Sequence, residues 1–190
     1  MHAVLAPNEH QHRRRLLEGM AEAVAQKGFA DTTIADIVRE AAVSRRTFYE
    51  HFQTKGECFI ALYVAASHNA LQVLREAIDP SHDWQAQVER GLQAYLGCMA
   101  ATPVLIRTLF VEILGLGAEG LAARRRVNQE IADFIATAVQ GAVSPQLAMA
   151  IVGALNELVL QYIEQGRVEH LLELVEPGSQ LIRAVTHSEK

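Results

Sequence analysis

Between Thr33 and Lys55 the chain reads TIADIVREAAVSRRTFYEHFQTK, and this stretch constrains the fold more than any other. It divides into two short apolar-periodic segments joined by three small residues. Thr33 is a good N-cap, and Asp36, three residues on, completes a capping-box-like pair. Ile34, Ile37 and Val38 then recur at helical spacing. Ala41, Ala42 and Val43 form a turn that lets two helices approach closely, and Ser44 caps the second helix. Phe48 and Phe52, four apart, make the buried stripe of that helix. An isolated helix of about eight residues is marginal in water, so both helices must be held by packing. What the packing leaves outward is Arg45, Arg46, Thr47, Tyr49 and His51. Guanidinium forks, hydroxyls and an aromatic edge suit phosphates and base edges, the pattern of a helix-turn-helix that reads DNA.

Several elements around this stretch occur in a recognisable order. A first helix ends in the corner Lys27-Gly28-Phe29; Thr32-Thr33-Ile34 follows, then Val43-Ser44, then Thr47-Phe48-Tyr49 with His51-Phe52, then Lys55 opening a long helix. From about Arg14 to Leu62 the chain resembles the DNA-binding domain of the TetR family of bacterial transcriptional regulators. It departs from the family at Ala42, where glycine is usual in the turn, and at Gly56, where glutamate is frequent. Alanine there carries a modest cost if the position requires positive φ. The resemblance implies that Thr33, Arg45, Arg46, Thr47 and Tyr49 contact DNA, while Ser44, His51 and Lys55 position the backbone.

The 190-residue chain has a formal net charge of −5, which suits a DNA binder only once it is divided. Residues 1–55 carry eight Lys or Arg against seven Asp or Glu, leaving the acidic excess beyond them. Such sign asymmetry points to a nucleic-acid face, and its small size to a dimer pooling two faces. No run approaches about 18 apolar residues, and the N-terminus lacks a signal-peptide order, so cytoplasmic residence is expected. Cys58 and Cys98 are far apart and read as small buried residues. No metal site and no cofactor are expected.

Apolar residues recur at helical spacing nearly throughout, and no alternating strand pattern appears, so the fold is expected to be all-α. Helices are predicted at about Glu9 to Lys27, Lys55 to Ile78, Trp84 to Ala101, Val104 to Leu114, Leu121 to Gln140, Pro145 to Gln165 and Val168 to Thr186, the last kinked at Pro177-Gly178. The domain division expected is 1–54, the helix-turn-helix head, and 55–190, a larger helical unit. Gly115-Leu116-Gly117-Ala118-Glu119-Gly120 matches GxGxxG, but it has no strand before it and no acidic strand after it. A flexible glycine loop between helices is the better reading. No GxSxG elbow or P-loop occurs, so no enzyme is expected; a helical enzyme or carrier for a hydrophobic molecule stays open as the alternative.

The resemblance further implies that the middle helices enclose a small-molecule effector pocket and that the last two helices pair with a second copy. The sequence permits a largely apolar cavity from Tyr95, Met99, Phe110, Ile113, Ile131, Phe134 and Ile135, with His68, Asn69, Glu112 and Asn156 as orienting groups. Ile151, Val152, Leu155, Leu158, Val159, Tyr162, Ile163, Leu181, Ile182 and Val185 exceed what a thin layer needs to cover and read as a homodimer face. A repressor released from a palindromic operator by an effector is the expected function.

Overall fold

A computed structural model describes residues 7–79, 81–138 and 143–187. The described residues are all helix, turn and short connection. The helices are α1 (Pro7–Asp31), α2 (Ile34–Glu40), α3 (Arg45–His51), α4 (Lys55–Ala77), α5 (Trp84–Ala100), α6 (Pro103–Gly115), α7 (Gly117–Ala138), α8 (Pro145–Glu164) and α9 (Val175–His187), with a 3-10 segment at Val168–Leu174 before α9. Side-chain caps set many of the starts. Thr33, Ser44, Thr54, Asp83 and Ser144 each accept from the backbone N–H three residues on, which satisfies a donor the helix cannot.

Packing follows the apolar stripes. Leu16, Met20, Ile37, Phe48 and Phe59, all fully buried, close a small core among α1, α2, α3 and the start of α4. Leu96, Ile113, Ile151 and Leu171 are equally buried in the larger layer beyond. The two cores are continuous, because α4 packs on α1 near its N-terminus and on α5 and α7 farther along. At about 1.5 Å per residue α4 is roughly 35 Å long. Its N-terminal part belongs to the head and its remainder to the larger layer, and α6 also packs on α1.

Two expectations change. The GxGxxG segment is no flexible loop: α6 runs through Gly115 and α7 starts at Gly117, so Leu116 alone separates them. Gly117 at φ 62 reverses the chain, and a Cβ on Gly120 would fall 2.1 Å from the Ile113 carbonyl oxygen. The glycines serve a tight helix-to-helix turn. The last helix breaks at Leu174, before Val175, whereas Pro177 sits inside the first turn of α9, where a missing N–H costs little. The first helix runs to Lys27 as expected, where Gly28 (φ 77, ψ 167) leaves helical geometry and one further turn carries the chain to Asp31. The predicted end at Gln140 of the helix opening near Leu121 lies outside the described residues.

Among the described residues α8 alone is long and apolar enough by composition to cross a membrane, and 28% of that window is buried. Ile151, Val152, Val159 and Ile163 are the part of it covered by the chain's own core.

Candidate nucleic-acid interface and effector cavity

The turn between α2 and α3 does require a left-handed residue. Ala42 takes φ 49, the one non-glycine with positive φ among the described residues, and its carbonyl accepts from Arg15 Nη2 at 2.8 Å. Val43 N–H meanwhile donates to the Val38 carbonyl at 3.0 Å. The strain is thus held from both sides.

Asp36 organises the start of α2. Its Oδ2 accepts from the Thr33 hydroxyl at 2.6 Å and the Thr33 N–H at 2.9 Å, and it meets Lys27 Nζ at 2.6 Å, while Oδ1 takes Arg39 Nη1 at 3.0 Å. The side-chain bond from Lys27, followed by those from Thr33, holds the Asp36 carboxyl well below the ordinary carboxylate range. Thr33 is therefore corrected from a DNA-contacting donor to a cap. Its hydroxyl hydrogen goes to Asp36 and its oxygen takes the Asp36 N–H at 3.3 Å, so no donor is left for a phosphate.

Lys55 is corrected in the same way. Its Nζ donates to the carbonyls of Phe29, Ala30 and Thr32, each at 2.9 Å, and lies 4.6 Å from the centre of the Phe29 ring. An ammonium has three protons, and all are engaged. The residue clamps the first turn of α4 to the end of α1.

The remaining predicted residues stay on the outer face. Arg45 and Arg46 are exposed; Arg46 Nε reaches Glu50 Oε1 at 3.1 Å, and Arg45 has no hydrogen-bond or ion-pair partner among the described residues. The Ser44 and Thr47 hydroxyls lie 2.9 Å apart with the Thr47 N–H also on Ser44 Oγ, so one hydroxyl proton between them is free. Tyr49 is 58% exposed and edges onto Phe48. His51 is half-buried, edge-on to His12 of α1. The three N-terminal arginines divide their tasks: Arg13 stacks over Phe52, Arg14 pairs with Glu18 and Arg15 holds the turn.

The middle helices enclose a cavity of about 70 Å³ lined by Leu74, Ile78, Trp84, Val88, Gly91, Leu92, Tyr95, Ile131, Phe134, Ile135, Ala138, Leu155 and Ile182. Of the expected pocket residues, Tyr95, Ile131, Phe134 and Ile135 are on this wall. The others are elsewhere, and for them the expectation is corrected. Met99 and Ile113 are buried in the core, and Phe110 is half-buried against it. His68 pairs with Glu130 at 2.8 Å in an outer cleft between α4 and α7. Asn69 Nδ2 donates to Cys98 Sγ at 3.6 Å; Glu112 borders a groove between α1 and α6; Asn156 donates to Asn128. Sequence reading missed the end of α4 and the start of α5, although the lone tryptophan beside the Asp83 cap was a signal. Desolvation holds the Tyr95 phenol above its usual range, and burial pushes the Cys58 thiol up to about 12, so both stay neutral at physiological pH. Among the described residues no group of His, Cys, Asp and Glu could hold a metal.

The residues of the expected dimer face divide between the interior and the surface of the chain. Ile151, Val152, Val159, Ile163 and Ile182 are covered by the chain itself, and Leu155 lines the cavity. Leu158, Tyr162, Leu181 and Val185 are half-buried, and Tyr162 donates its hydroxyl to Glu173 at 3.0 Å. The outward side of α8 presents Ala150, Gly153, Glu157 and Gln161.

A capped, strained two-helix turn with exposed arginines, joined by a long helix to an all-helical layer, defines a helix-turn-helix head on a helical domain. The comparisons specify it further. Residues 16–62 match the family described as bacterial regulatory proteins, tetR family. The fold is similar over most of both chains to the fatty acid degradation regulator FadR from Bacillus halodurans (16% identity, 95% of this chain and 96% of that one, TM-score 0.74). It is similar also to regulatory protein TetR from Rhodobacter sphaeroides (20%, 90% and 98%, 0.70) and to FadR from Bacillus subtilis, solved in complex with stearoyl-CoA (14%, 89% and 96%, 0.66). Residues 16–62 thus match the head of this regulatory family, and the whole chain shares the fold of these solved regulators.

Proposed function

We propose that the chain is a homodimeric repressor that leaves a palindromic operator when an uncharged, largely apolar molecule occupies the cavity of the larger domain, residues 55–190, with the head being residues 1–54. The observation that carries this reading is α4. Its first residue is clamped to the end of α1 by Lys55, and its last turns supply Leu74, with Ile78 just beyond, to the cavity wall. Occupation of the cavity and placement of the reading helix thus act on opposite ends of one rod. A ligand shifts the equilibrium only by its differential affinity for the two placements. The neighbour's complex with stearoyl-CoA supports an apolar ligand class; here the cavity is smaller than an acyl chain and would widen around one.

Pairing would use the outward face of α8, where Ala150 and Gly153 allow close approach of a second copy, flanked by Leu158 and Leu181. No catalysis is part of this reading. The test is selection of bound sequences from a random DNA pool, followed by titration of the selected duplex with uncharged apolar compounds and charged analogues. Trp84, the single tryptophan, lines the cavity and reports occupancy by its fluorescence. An enriched palindrome, and release of DNA in step with the Trp84 signal, are expected. Cavity occupancy that leaves DNA affinity unchanged would remove the effector part of the proposal.

A further inference from the structure

We infer that Glu50 is the specificity-determining residue at the centre of the reading face, accepting a hydrogen bond from the exocyclic amino group of a cytosine beside the guanine that Arg46 reads; this rests on the DNA-binding reading of α3. Position comes first. Phe48 is fully buried and Phe52 nearly so, and they set the inward direction of α3. At about 100° per residue, position 50 lies directly opposite their midpoint. Arg46 and Thr47 flank it, whereas Tyr49 and His51 lie to the sides. The residue best placed to enter a groove is the acidic one.

Chemistry then decides what it can do there. A carboxylate accepts hydrogen bonds and donates none. Against phosphates it is repulsive, so Glu50 lowers affinity for DNA in general. On the major-groove edge the donors are the N4 amino of cytosine and the N6 amino of adenine, and a glutamate pairs with the former. Arg46 explains how the charge is tolerated. Its Nε donates to Glu50 Oε1 at 3.1 Å with the Arg46 side chain 90% exposed, which leaves both terminal amino groups as a fork and the second Glu50 oxygen open. A fork suits the O6 and N7 of guanine. The pair forms one unit that offers two donors and one acceptor side by side, a match for guanine next to cytosine. An apolar or basic residue at position 50 would bind more tightly and choose less.

The test compares wild type, Glu50→Ala and Glu50→Gln by selection from a random DNA pool and by affinity for the selected duplex and an unrelated one. Wild type is expected to enrich cytosine at one position of each half-site. Glu50→Ala is expected to lose that enrichment and to bind unrelated DNA several-fold more tightly, with the ratio of specific to non-specific affinity reduced roughly tenfold. Glu50→Gln, which has the donor and acceptor that fit adenine, is expected to shift the preference there. Identical enriched sequences and ratios for all three proteins would overturn the assignment while leaving the DNA-binding reading intact. Absence of any enriched sequence with wild type would overturn both.

Discussion

The reading head and the layer behind α4 are stabilised in opposite ways. In the head, charged and polar side chains fix the backbone: Asp36 gathers Lys27, Thr33 and Arg39, Arg15 holds the Ala42 carbonyl, and Lys55 ties three carbonyls together. Around the cavity the wall is almost purely aliphatic and aromatic, and helices meet through apolar contact. Directional bonds have one good geometry, whereas apolar contact is indifferent to small slips. The head is therefore held by bonds of fixed direction and the layer by contacts that have none.

This contrast can be broken most forcefully at Phe48. Truncation to alanine in a closed core costs about 3–5 kcal/mol, and Phe48→Ala is expected to abolish DNA binding with a matching loss in denaturant midpoint. At Lys55 two roles separate cleanly. Lys55→Met should cost about 1.5–3 kcal/mol, the range for hydrogen bonds to charged groups, and leave the salt dependence of DNA binding unchanged. A lowered salt slope with no loss of stability would instead return Lys55 to the phosphates. For Arg46→Ala the reverse is expected, a loss of about 1–3 kcal/mol in specific binding with the melting curve unmoved.

Acid provides the next test. Because the folded-state pKa of Asp36 is depressed, its contribution is present in full above about pH 4, its ordinary range, and falls away as pH drops below that. Hydrogen exchange should show α2 opening before the helices of the cavity on acidification, and Asp36→Asn should flatten this dependence. The smallest effects come from two opposite exchanges. Ala42→Gly relieves the positive φ and should stabilise the head by about 1 kcal/mol. Gly91→Ala favours the helix by a similar amount, but its Cβ would lie 3.0 Å from Leu74 Cδ1. If the layer is as yielding as its wall implies, Leu74 moves and the gain survives in a thermal melt.

The same contrast explains what the sequence disclosed. Local chemistry is written locally, so the caps at Thr33, Ser44 and Ser144, the Phe48–Phe52 stripe and the unusual Ala42 were all visible in a few consecutive letters. The tasks of Thr33 and Lys55 were not, because a hydroxyl or an ammonium is suited equally to phosphate and to backbone carbonyl. Only the arrival of Asp36 and of the α1 carbonyls decides between them. In the cavity the difficulty was register. Tyr95 and the triplet Ile131, Phe134, Ile135 were found, yet Met99 and Ile113, equally apolar on neighbouring turns, face the core. Apolar periodicity identifies an inward face without saying whether space or another helix lies there.

One consequence of α4 concerns gearing. A rod about 35 Å long clamped near one end tilts by about 1.6° for each ångström its far end moves. The clamp at Lys55 sits close to the reading helix, so the head turns through the same small angle. Hydrogen bonds to base edges tolerate only about 0.5 Å between good and poor. Under the proposed function a shift of about 3 Å at Ile78 would therefore turn the head by about 5°.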